Sequence, residues 1–185
     1  MTTTCIALLR GINVGRAKRI AMADLRALVE KLGGKNVRTL LNSGNVVFDA
    51  ADKASAGFGA RLERALDAEL GVASRVTVLT ATELERIVAK NPLASSTRDP
   101  SKFLVAFFAA EPERATLAPL LARDWKPDAL ARGPNALYLW CSKGVLDSAV
   151  SIAVNRAFRD AFTARNWATV LKLQALAADG GSKPK

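Results

Sequence analysis

The chain contains no histidine. That removes Ser-His-Asp and Cys-His activation of a nucleophile, and with it the commonest general base near neutral pH. Any catalysis would have to run on Asp, Glu, Lys, Tyr, Cys or fixed electrostatics. Cysteine is scarce too. Cys5 and Cys141 both lie in apolar, strand-like runs and read as buried thiols rather than a disulfide. Two cysteines without histidine give no recognisable zinc or haem ligand set, so no metal is expected and no cofactor can be named. No apolar run approaches the ~20 residues of a membrane-spanning helix. The first residues lack a basic segment followed by an apolar one, so no secretory leader is expected. The cytoplasm is the expected compartment.

What remains is an apolar, basic chain. Half of its residues are hydrophobic, ample for a core of one domain or two small subdomains. The net charge is +10, and residues 51–154 are close to balanced, so nearly all the excess lies at the two ends. A positive field favours anionic partners such as phosphates, nucleic acid and acidic metabolites. The same charge also serves solubility, and net charge alone does not separate the two.

Hydrophobic periodicity sets the order of elements. TCIALL reads as a central strand, apolar on both faces. MADLRALVEKLGG places Met22, Leu25, Leu28, Val29 and Leu32 at helical spacing, with Gly33-Gly34 as the stop. VRTLLNSGNVVF reads as a hairpin turning at Ser43-Gly44. A helix over Phe58–Leu70 and the strand SRVTVL complete βαββαβ. After a helix at about 81–90 the pattern repeats in outline. KFLVAFF is a strand, ERATLAPLLA a helix, DALARGPNALYLW a hairpin, and residues 146–162 a helix. A last helix over 167–178 stands where a closing strand would be expected. The fold class is therefore α+β: two ferredoxin-like βαββα(β) subdomains packed together, over 1–80 and 81–180, with an additional C-terminal helix and a disordered tail at 181–185.

This topology makes the first two strands parallel and returns the third beside the first. The loop after the first strand and the hairpin between the second and third then lie at the same edge, where the first helix also begins. The loop holds Arg10, Gly11, Asn13, Gly15, Arg16, Lys18 and Arg19. Gly11 and Gly15 permit positive φ, and Asn13 tolerates it. Such a loop can turn several N–H groups toward one anion. Asn42, Ser43 and Asn45 add neutral hydrogen-bonding groups. The spacing matches neither a Walker loop nor G-x-G-x-x-G. Every residue named also has a turn role, and spacing alone favours that role.

A second candidate is the corner TARNWATVLKL. There Asn166 reads as a helix N-cap, Trp167 as a core anchor and Arg165 as a solvated charge. The functional alternative has Arg165 extending the basic surface and Trp167 stacking a base or sugar. The other aromatics show no strand pattern of an RNA-binding sheet. Carboxylates form no convincing acid/base pair.

LLRGINVG, KRIAMADLRALVEKLGGKNVRTLLNSGNVVF and TARNWATVLKL, taken in that order, resemble the domain of unknown function 1697 family over about residues 4–176. The resemblance implies cytoplasmic, mostly bacterial α+β proteins of two ferredoxin-like parts, and implies no activity. Its pattern falls here on Arg10, Gly11, Asn13, Gly15, Ser43, Gly44, Asn45, Arg165, Asn166 and Trp167. The chain departs from it at Asn42, where members usually carry Gln. It departs also at Arg16, where a second glycine is common, and at Ser148-Ala149, where a Ser-Lys pair is common. That missing lysine argues against it as an essential catalytic group. So many specific polar residues at one edge tip the reading toward function. The expected function is binding of a phosphate-bearing or other anionic, nucleotide-like small ligand at the 10–19 loop, the 42–45 hairpin and the 163–167 corner. Non-catalytic DNA or RNA binding stands as the alternative. So does an enzyme in which Arg10, Arg165 and loop amides stabilise charge beside a carboxylate or thiol base. A structural or interaction protein is the fourth class. Nothing in the sequence gives the oligomeric state.

Overall fold

The computed structural model describes residues 1–14, 18–51, 56–96 and 99–179. Gly15, Arg16 and the expected tail at 181–185 lie outside the described residues. The chain divides into two compact units, Met1–Leu84 with Lys172 onward, and Glu85–Leu171. Among the described residues no helix is long and apolar enough to cross a membrane.

The first unit runs β1 (Thr2–Leu9), α1 (Met22–Lys31), β2 (Lys35–Leu40), β3 (Asn45–Ala51), α2 (Phe58–Leu70) and β4 (Val76–Thr80). Its sheet has the order β2-β3-β1-β4, with every adjacent pair antiparallel. The doubly apolar run in β1 is thereby explained. It is hydrogen-bonded on both sides, and Cys5, Ile6, Ala7, Leu8 and Leu9 are all buried. Cys5, Ala7 and Leu9 join Val46 and Phe48 under the two helices. Leu25, Leu28 and Val29 come from α1, and Phe58, Leu62 and Leu66 from α2. The Phe48 and Phe58 rings lie 4.4 Å apart, centre to centre. Each such buried side chain contributes about 1.5–3 kcal/mol by leaving water, so the unit is held chiefly by this layer of helix on sheet.

After α3 (Ala81–Ala89), the second unit repeats the pattern as β5 (Phe103–Phe108), α4 (Arg114–Ala122), β6 (Ala129–Gly133), β7 (Ala136–Trp140), α5 (Ala149–Phe158) and β8 (Phe162–Asn166). Its order is β6-β7-β5-β8, again antiparallel throughout. The last helix, α6 (Trp167–Asp179), follows directly. Each unit thus holds a four-stranded sheet of ferredoxin-like order.

The strand β8 corrects the sequence reading. The helix expected over 146–162 ends at Phe158, a 3-10 turn covers Arg159–Ala161, and Phe162–Asn166 pairs with β5 from Phe108↔Phe162 to Leu104↔Asn166. So the second unit has its closing strand, and the extra helix follows that strand rather than replacing it. The strand is hard to see because Thr163 and Arg165 are polar yet buried. Their polarity erases the alternation by which a half-buried strand is recognised.

A buried carboxylate organises the second hairpin. Asp128 accepts hydrogen bonds from Ser142 N (2.9 Å), Ser142 Oγ (2.7 Å) and Ser148 Oγ (2.8 Å). Ser148 in turn caps α5 by accepting from Ser151 N. Burial acts to raise the Asp128 carboxyl. The two hydroxyls and the backbone N–H groups outweigh it and hold the group below the usual carboxylate range.

Candidate functional site

The segment after β1 begins as a tied-down turn. Arg10 N donates to Arg75 O at 2.9 Å, and Arg10 O accepts from Ser74 Oγ at 2.9 Å, which fixes the Arg10 backbone beside the entry to β4. Gly11 then takes φ 65° and Asn13 φ 55°, the left-handed conformations that their residue types accept most easily.

Asn13 closes the loop on itself. Its N–H reaches Lys18 O (3.0 Å), its Oδ1 accepts from Ile20 N (2.9 Å), and its Nδ2 donates to Ile20 O (3.0 Å). The same Nδ2 donates to Asn42 O at 2.7 Å, twenty-nine positions away. One side chain therefore imitates a strand partner for Ile20 and also docks the loop on the β2–β3 turn. Leu9 N donates to Gly44 O at 2.8 Å and makes the same junction from the other side. Gly44 sits there with φ 75°, and a Cβ on it would lie 2.7 Å from Leu9 Cβ and 2.9 Å from Ile12 Cδ1. Only glycine allows the turn to approach that closely. The loop and the hairpin expected to be neighbours are neighbours.

Within the turn, Asn45 is wholly buried and donates to Leu40 O and Ser43 Oγ, both at 2.9 Å. Its amide shapes the turn, while Asn42 and Ser43 are exposed. Arg10 is half-buried, and Lys18 and Arg19 are exposed. Between loop, turn and helix lies an open hollow of about 550 Å³, lined by Asn13, Arg19, Ile20, Ala21, Met22 and Asn42. The helix α1 starts in its wall. Ala21 occupies the N-cap position and offers no side-chain cap, and the carboxylate of the first turn of α1 is that of Asp24.

The corner residues belong to the second unit. Asn166 accepts from Thr169 N at 2.9 Å and is the N-cap of α6, as its position suggested. Trp167 is buried and meets Phe103 edge-on, with ring centres 5.4 Å apart. Arg165 is buried rather than solvated. Its guanidinium donates to Thr163 Oγ1 and Ala164 O, each at 2.8 Å, and burial pushes it down to about 10.

A family model described as a protein of unknown function, DUF1697, matches residues 1–138. The chain belongs to this family. Among curated proteins there is no match. A conserved bacterial protein from Streptococcus pneumoniae of known structure is 23% identical to the DUF1697 chain. It superposes with a TM-score of 0.80 over 96% of this chain and 99% of that one. At that identity the likeness is one of fold.

Sequence reasoning named the loop and turn of the DUF1697 chain but missed Ile20, Ala21 and Met22 as walls of the hollow. One signal was present. No Ser, Thr, Asp or Asn precedes MADLRALVEK at the N-cap position, and an apolar residue there marks a helix start left uncapped by its own sequence.

Proposed function

We propose that this DUF1697 protein binds a phosphate-bearing or other anionic small ligand in the hollow of the first unit. The observation that carries the reading is the convergence of an uncapped helix start with Arg19 on the wall of one hollow, beside the Asn13 hydrogen bonds to Ile20. The N-terminal turn of α1 supplies oriented N–H groups and a dipole worth about 0.3–1 kcal/mol toward an anion. Arg19 adds a planar, permanently charged donor, and a charge-assisted hydrogen bond of that type contributes about 1.5–3 kcal/mol. Lys18 strengthens the field, and the Asn42 and Ser43 side chains offer neutral donors. Asn13 acts by holding the loop, since both Nδ2 hydrogens are engaged within the chain. The reading rests on the first unit and needs neither Arg165 nor Trp167.

The test is thermal unfolding of the full chain with phosphate, pyrophosphate and ribose 5-phosphate at constant ionic strength. Specific anions should raise Tm, and Arg19→Gln should abolish the rise. A rise no greater than sulfate produces, for every anion tried, would sink the reading. Tight binding of single-stranded RNA that collapses between low and physiological salt would replace it with nucleic-acid recognition.

A further inference from the structure

We draw no further inference here: the strongest candidate, the exposed apolar side chains of Leu146 and Ile152 at the start of α5, carries nothing because nothing in the structure shows what covers them.

Discussion

In the first unit the chain passes from β1 to α1 through residues 10–21, and in the second it passes from β5 to α4 through residues 109–113. Both connections meet a hairpin at the same end of a sheet of the same strand order. The contents differ. The first end is an open hollow of about 550 Å³ walled by a long, self-clamped loop. At the second lies a pocket of about 10 Å³, lined by Phe108, Pro112 and Leu117 and spanned by a Glu111–Arg132 ion pair. A ferredoxin-like frame dictates that loop and hairpin meet. Loop length and side chains decide whether the meeting point is filled or left open. The second unit serves as an internal control for the first.

The largest effect should come from Gly44, where the first hairpin touches β1. Gly44→Ala places a Cβ against Leu9 at a left-handed backbone position and should cost about 2–4 kcal/mol in urea unfolding. Asn135, in the second hairpin, also has positive φ, at 50°. Asn135→Gly should leave stability within about 0.5 kcal/mol. Comparable losses from both would mean that the close approach at Gly44 is no special feature of the open end.

Next comes the clamp. Asn13→Ala removes three side-chain hydrogen bonds and should cost about 1–3 kcal/mol, concentrated in the loop. Amide exchange should quicken at Lys18–Ile20, and anion binding should be lost. Exchange that stays slow there would show the loop to be held by something else.

The second unit has its own clamp, with a different pH signature. Asp128 is held below the usual carboxylate range in the folded state by Ser142 and Ser148. A carboxylate with a depressed folded pKa stabilises the fold above its unfolded value of about 4, and that stability is lost as pH falls through the folded value. Acid titration of the wild type should therefore show a loss of stability below about pH 4 that Asp128→Asn flattens. An unchanged acid slope in the variant would assign it to other carboxylates.

Most of this frame was legible in the sequence. Periodicity found β1, α1, both hairpins and α2, because each buries one regular face or, in β1, both. The meeting of RGINVG with NSGN followed from topology alone. Three things were hidden, for different reasons. The strand β8 was masked by Arg165, since a buried arginine satisfied by Thr163 and Ala164 O looks like surface. The hollow was obscured because its walls, Ile20, Ala21 and Met22, are ordinary apolar residues whose role depends on where the chain places them. The division of labour among the asparagines was hidden too. Asn13, Asn42 and Asn45 look alike in sequence, and only their partners distinguish a loop clamp, an exposed donor and a turn brace.

The smallest effect should come from the ion pair at the filled end, and it probes the comparison most directly. Arg132 and Glu111 are each about half exposed, so water screens their attraction and holding two long side chains together costs entropy. Arg132→Gln should change unfolding stability by less than about 1 kcal/mol. Removing the arginine leaves Phe108, Pro112 and Leu117 in place, so the small pocket should not open into a second hollow. Anion affinity and stoichiometry should match the wild type. A second equivalent of bound phosphate in this variant would mean that the salt bridge, and not the short connection, closes the second end.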